Sequence, residues 1–360
     1  MRALGKEVIE ELIMNLKDAG CDEELIAKCI KKYNNDDLKM LIKSLQYHRC
    51  CLLDKLHEEQ KKIDCLDYLI YTLRRIKMEL VKQAYLKGER ALFKSHDLKV
   101  EDSIFADGES PLKESDHIDI SGSIFKWKYP LWYCNHINVE NSTLLETARS
   151  GIWYTHHINI KDSVIDAPKT FRRGTHISLE NVNMVNAQET LWKCSDIKLY
   201  NVVAKGDYFG MNSENIEIDG LNLSGNYCFD GGKNIIVRNS KLVSKDAFWN
   251  CENVTVYDSV IIGEYLAWNT KNITFVNCTI ESLQGLCYIE GLKMVNCKLI
   301  NTTLAFEFCK DIDAQIVSHI DSITNPISGK ISAQSIGEMI IDDQIIDPSQ
   351  TKIQSTIYQR

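Results

Sequence analysis

Residues 253–261 read NVTVYDSVI, and residues 272–280 read NITFVNCTI. In each, asparagine precedes an apolar anchor (Val254, Ile273), a second apolar residue stands two further on, Asp or Asn four on, and another apolar residue seven on. The same frame recurs around Leu98, Ile118, Ile137, Ile158, Ile177, Ile197, Ile216, Ile235, Leu292, Ile312 and Ile331. The mean step between anchors is about 19.4 residues, inside the range of solenoid repeats. Alternation at period two marks a short strand with one buried face, and Asn, Asp or Gly four after the anchor tolerates a left-handed turn, so each coil bends there.

Leucine-rich repeats share this period, but they need an L-x-x-L-x-L frame and a helical or irregular return, whereas here the return is again strand-like. Left-handed acyltransferase helices repeat in hexads, and no hexad is visible. Three strands per coil, stacked ~4.8 Å apart by parallel pairing, give a right-handed parallel β-helix of about twelve coils over residues 96–336. Open ends would expose sheet edges, so residues 76–95 are expected to form a linking and capping helix and residues 337–360 a C-terminal cap.

Before the repeat the apolar spacing is helical. Val8, Ile9, Leu12, Ile13 and Leu16 form one stripe that breaks at Gly20, and a short helix follows from Glu23 to about Tyr33. After the start signal Asn34, Asn35, Asp36, positions Leu52, Leu56, Glu59, Ile63, Leu66, Ile70 and Leu73 alternate steps of four and three, which is a coiled-coil seam. Residues 1–75 are thus an α-helical bundle or coiled-coil segment, its seam closing either on its own neighbours or across a homodimer. His57, Cys65, Cys50 and Cys51 lie in or near this seam and are read as packing or solvated positions.

The stretch YHRCCLLDKLHEEQKKIDCLDYLIYTL (residues 47–73) resembles small stand-alone helical proteins of anaerobic Gram-positive bacteria. In the repeat region, YPLWYC (129–134), GIWY (151–154), APKTFRR (167–173), ETLW (189–192), FDGGKN (229–234), KDAFWN (245–250), GEYLAWN (263–269) and QGLCY (284–288) together resemble a bacterial family of pectin-lyase-like β-helices, the domain of unknown function 3737. The likeness spans most of residues 107–334. It implies the fold and carries no catalytic roles, because the family has no established activity.

Bulk properties narrow the remaining choices. Apolar residues make up 44% and charged ones 26% of the 360, within the globular range. A formal charge of −8 and the lack of a Lys/Arg-rich run in the repeats argue against a nucleic-acid partner. No apolar stretch approaches the ~20 residues of a membrane span, and the acid-bearing amphipathic start is unlike a signal peptide, so a cytoplasmic protein that does not engage membranes is expected. The 13 cysteines never take C-x-x-C spacing, which supports neither a disulfide framework nor a zinc site.

All the recognised motifs fall five to nine residues before the next anchor, on one side wall of the solenoid. Six residues before each anchor the chain is mostly apolar (Leu131, Ile152, Phe171, Leu191, Phe229, Phe248, Leu286, Phe306), so that column points inward and its neighbour outward. The outward column reads Trp132, Trp153, Arg172, Trp192, Met211, Asp230, Trp249, Trp268, Cys287 and Glu307. Beside it, at the turn entering the strand, run Lys169, Glu189, Asp207, Tyr208, Lys245, Asp246, Glu264 and Tyr265. An exposed aromatic wall normally binds something, and rings flanked by carboxylates suit an oligo- or polysaccharide.

In pectate lyases and polygalacturonases, which this wall resembles by fold analogy, the equivalent strand and turns form the substrate groove. Trp132, Trp153, Lys169, Glu189, Trp192, Asp207, Tyr208, Trp249, Tyr265 and Trp268 are therefore the substrate-binding candidates. For catalysis, Asp230 with Asp246, or Asp246 with Glu264, would supply acid and base for glycoside hydrolysis, while Lys245 or Arg172 would be the base of a lyase or epimerase. Against any chemistry stands the lack of inserted loops that would wall in a cleft, so a binding or interaction scaffold is the alternative.

Two further columns have simpler readings. His117, His136, His157 and His176 precede four successive anchors and could share a metal between rungs. The column continues as Asp196, Asn215, Asn234, Asn253 and Asn272, which favours a turn-side hydrogen-bonding ladder, and no metal or cofactor is assigned. Cys134, Cys194, Cys251 and Cys309 share one column and Cys278 and Cys297 another, where small polarizable residues stack.

Overall fold

The computed structural model describes residues 6–355 and divides between Lys77 and Met78 into two compact units. The first unit holds three helices: α1 (Lys6–Asp18), α2 (Glu23–Asn34) and α3 (Leu38–Lys77). Asp22 caps α2 by accepting the Leu25 N–H at 2.8 Å, and Asp37 accepts the Met40 N–H at 3.2 Å, one residue beyond the expected start signal of α3. The apolar stripe of α1 delivers Leu16 to a small core with Cys21, Ile26, Cys29 and Leu41. Leu52, Leu56, Ile63, Leu66 and Leu73 stay exposed, so α1 and α2 do not close the seam; the side chain of Ile70 lies outside the described set. No helix among the described residues is long and apolar enough to cross a membrane.

The second unit is a right-handed parallel β-helix of about fifteen coils, where about twelve were expected: the thirteen anchors are joined by one more coil at each end. The extra coils correct both expected caps. Residues 79–82 and 85–86 are strands, with Val81 beside Val100 and Leu86 beside Phe105, so 79–95 are the first coil and no capping helix. At the other end Thr351–Ser355 pairs with Gly329–Ala333, so residues 351–355 of the expected cap add a further strand to the solenoid, and residues 356–360 lie outside the described residues. Both escape the frame for a local reason: Glu79 occupies the first anchor position, and the coils after Ile312 change length.

Parallel registers align the anchors from Leu98 to Leu292, as in Ile235 beside Val254 and Val254 beside Ile273, but the expected anchor Ile331 lies beside Ala314, because the coil after Ile312 is two residues shorter in register. Each anchor is buried, as is the residue seven on, from Phe105 and Phe125 to Ile280 and Leu299. The turn four after the anchor is left-handed from Asp102 (φ 49°) to Asn296 (φ 53°), as its Asn, Asp and Gly residues require. The position before the anchor is left-handed too: Asn215, Asn234, Asn253 and Asn272 lie at φ 54° to 58°. Their amides form a ladder, each donating Nδ2–H to the Oδ1 of the residue one coil earlier at 3.0–3.1 Å, beginning on Asp196. The hydrogen-bonding ladder expected for this column is present from Asp196 onward.

A buried serine ladder also joins coils. The N–H groups of Ser103, Ser123 and Ser142 donate to the hydroxyls of Ser123, Ser142 and Ser163. Thiols take the same kind of place: Cys134, Cys251 and Cys309 donate to the carbonyls of Leu112, Phe229 and Leu286 at 2.8–3.0 Å, where Ser213 and Thr270 use hydroxyls. Burial pushes the thiols of Cys134, Cys194 and Cys228 up to about 12, which suppresses the reactive thiolate. A thiol-reactive chromophore should therefore label Cys50, Cys51 and Cys65 in the native protein and all 13 cysteines after denaturation. Labelling of the solenoid thiols under native conditions would show that the coils open.

The third side of each coil departs from expectation. Only Ile152–Trp153 and Phe171–Arg172 pair as strands there, and the remaining coils cross it in turns. Phe229, Phe248, Leu286 and Phe306 take φ between 59° and 70°, breaking extended structure while keeping the side chains inside. The inward column is thus as expected, but from Leu191 onward it is built from left-handed residues, a conformation that closing the coil imposes on bulky side chains.

Candidate functional site

Stacking at the rung spacing governs the aromatic wall. Trp132 and Trp153 stack at 5.2 Å, and Trp249 and Trp268 at 5.5 Å, with planes within 8°. The Arg172 guanidinium lies 4.5 Å from the Trp153 ring and 4.7 Å from that of Trp192, a cation held between two indoles. Each of four indole N–H groups donates to a carbonyl of the next coil: Trp132 to Ser150, Trp153 to Lys169, Trp249 to Tyr265 and Trp268 to Gln284. The tryptophans are half-buried staples between coils, and rung-to-rung stacking uses ring faces that a sugar would otherwise cover. Cys287, expected in this outward column, is fully buried.

Beside the wall, the turn into the third side forms an open groove with a volume of about 960 Å³. It crosses seven successive coils, contacting Glu146, Asp166, Gln188, Asp207, Asn226, Lys245 and Glu264 in turn. Six steps of ~4.8 Å make it about 29 Å long. The floor is backbone: Gly206, Gly225, Ser244 and Gly263 recur every nineteen residues and all line it. A Cβ on Gly225 would sit 2.0 Å from the carbonyl oxygen of Gly206, and one on Gly263 2.0 Å from that of Ser244, so these two positions require glycine.

One column of polar side chains hydrogen-bonds this floor. Gln188 accepts from the N–H of Asp207, Asp207 from that of Asn226, and Asn226 from that of Lys245, at 2.7–3.2 Å. Of these positions the sequence reading singled out Asp207, Lys245 and Glu264. It missed Glu146, Asp166, Gln188, Lys205 and Asn226, although Gln188 and Asn226 share the nineteen-residue spacing of the three it found.

The other candidates separate into two clusters. Lys169 and Arg172 both meet Glu189, at 3.1 and 3.5 Å, so Arg172 is engaged as a stacked and paired cation. Four coils further on, Lys245 pairs with Glu264 at 3.2 Å and lies 5.2 Å from the ring of Tyr265. Hydrogen bonds from Tyr265 and Lys245 hold the Glu264 carboxyl below its ordinary range, and the same pairing raises Lys245. Tyr208, Tyr227 and Tyr265 share a nineteen-residue column in which Asp246 takes the place of a tyrosine between Tyr227 and Tyr265.

Asp246 is 1% exposed, with Oδ2 buried and unpartnered. Burial raises its pKa, with the negative charges of Glu264 and Asp230 acting the same way against Lys245 and the Tyr227 hydroxyl. Asp230 accepts Asn250 Nδ2–H at 2.9 Å, which occupies one of its oxygens. The arrangement is a carboxyl biased toward its protonated form beside a carboxylate held ionised, a pairing suited to proton transfer.

The family described as "Protein of unknown function (DUF3737)" matches residues 79–354, nearly the whole solenoid. No curated protein matches the chain. Among solved structures it is similar to PfbA, a surface adhesin of Streptococcus pneumoniae, at 11% identity over 73% of this chain and 80% of that one, with a TM-score of 0.31. It is also similar to the A-module of the Azotobacter vinelandii mannuronan C-5 epimerase AlgE4, at 7% identity over 78% and 91%, TM-score 0.26. The tailspike protein of E. coli bacteriophage HK620 gives 10% identity over 76% and 62%, TM-score 0.26.

Proposed function

We propose, for a chain that belongs to the DUF3737 family, that the solenoid binds a linear oligo- or polysaccharide lengthwise in the groove between its second and third sides. The observation that carries this reading is the groove's one-per-coil supply of hydrogen-bonding side chains on a glycine floor, at a spacing of ~4.8 Å that is close to one sugar unit. Glu146, Asp166, Asp207 and Glu264 outnumber Lys205 and Lys245 along it, which suits a neutral glycan whose hydroxyls donate to carboxylates and disfavours an anionic one. The tryptophan wall stiffens the groove's edge through its stacking and indole hydrogen bonds and does not offer stacking platforms.

Chemistry at this cluster would start from Glu264, which lines the groove and, held ionised, would activate water or attack the anomeric carbon. Asp246 is buried outside the groove lining and would donate to the glycosidic oxygen only after its side chain turns into the groove. Lys245, raised by its carboxylate partner, stays an ammonium and is unsuited to abstract a proton, which disfavours the elimination and epimerisation readings at this cluster.

An array of neutral and anionic oligosaccharides, probed with the full chain, tests the binding reading. Retention of a linear neutral glycan is expected, weakened about 10- to 100-fold by Lys245→Ala, the loss of a charge-assisted hydrogen bond. Gly225→Ala should abolish retention by pushing the floor outward. No retention by the wild-type chain would leave the interaction-scaffold alternative standing.

A further inference from the structure

Four histidines occupy the left-handed position that asparagine and aspartate hold in later coils, and they behave differently from them. The rings of His117, His136, His157 and His176 stack at centroid distances of 4.4, 4.8 and 4.3 Å in place of an amide ladder. Beside the first two, and not beside the others, stands a carboxylate: the positions matching Asp116 in the following coils are Asn135, His156 and Thr175. The Asp116 oxygens are divided between the two rings, Oδ2 at 2.7 Å from His117 Nδ1 and Oδ1 at 3.1 Å from His136 Nδ1. Among the described residues, this is the one group of three such side chains whose ligand atoms all lie within 4.8 Å of one another.

We propose that Asp116, His117 and His136 bind a divalent transition-metal ion on the outside of the early coils. An ion ~2.0–2.2 Å from each ligand atom replaces the protons now shared between the carboxylate and the imidazoles. Two nitrogen donors and one oxygen select zinc, cobalt or nickel over magnesium or calcium, which take oxygen ligands throughout. The left-handed backbone at His117 (φ 55°) and His136 (φ 51°) sets both imidazoles on the same side of consecutive rungs, so the ligands are placed before the ion arrives. Side-chain exposures of 18%, 34% and 44% for His117, Asp116 and His136 leave the site open to solvent, and water completes the coordination.

Cobalt(II) titration of the full chain, followed by visible absorption and calorimetry, tests this. One equivalent should bind saturably, with the d–d bands of a nitrogen and oxygen site and no thiolate charge-transfer band, which excludes Cys50, Cys51 and Cys65 as the ligands. Asp116→Asn and His136→Asn should each weaken binding at least tenfold, and His136→Asn should fold normally because asparagine is the residue the column carries in later coils. His176→Asn, which removes a stacked ring far from the carboxylate, should leave the affinity unchanged. Non-saturable binding, a thiolate band, or an equal loss with His176→Asn would overturn the assignment.

Discussion

Phe125→Ala is expected to cost about 3–5 kcal/mol of unfolding free energy, read as a fall in denaturation midpoint with unchanged secondary structure by circular dichroism. Phe125 is fully buried and stacks on Phe105 with ring centroids 4.5 Å apart and planes within 3°. The coil cannot shrink to fill the hole, because parallel pairing of Ile124 and Phe125 with Thr143 and Leu144 fixes the backbone. Tyr200→Ala, an exposed change on a strand of the same sheet, should stay within about 0.5 kcal/mol. Because each coil touches only its neighbours, the loss should appear first in the early coils, as a low-denaturant step or a broadened transition. A midpoint unaltered by Phe125→Ala would mean that the interior is not the packed stack described above.

The features legible in the sequence are those that a solenoid repeats identically. Phe248 reads as inside because it stands six before an anchor, and Asp258 as a left-handed turn because Asp four after an anchor tolerates that backbone. What escaped depends on contacts between coils. Trp153 reads as an exposed ring from its column, but its neighbours one rung away are Trp132 and Arg172, and they cover it. The groove floor needed the recognition that Gly206, Gly225 and Gly263 are one column with Ser244, and that a Cβ on any of the three glycines would strike the backbone of the coil before. Asp246 is the subtlest case: its type and position suggest an exposed acid, and only the tyrosines around it show it to be buried.

Asp246→Asn is expected to raise the melting temperature at pH 7 and, should the groove cleave glycans, to lower turnover about 10²- to 10⁴-fold. The stability half follows from the direction of the shift. A carboxyl whose pKa is higher folded than unfolded binds more protons in the native state, so stability falls as pH rises from the unfolded value near 4 through the folded one. Asparagine carries no such penalty, so its advantage should be complete above the folded pKa and vanish below about pH 4. Equal melting temperatures for the two proteins at both pH 4 and pH 7 would show that Asp246 is ionised without cost. For the activity half, reducing-end release from pooled polysaccharides should fall with rising pH as Asp246 deprotonates and with falling pH as Glu264 protonates. Glu264→Gln and Asp246→Asn should each lose turnover while the glycan still binds. A destabilising buried acid beside a groove is a candidate for proton transfer, so a variant that is more stable and less active would mark Asp246 as a proton donor serving the groove.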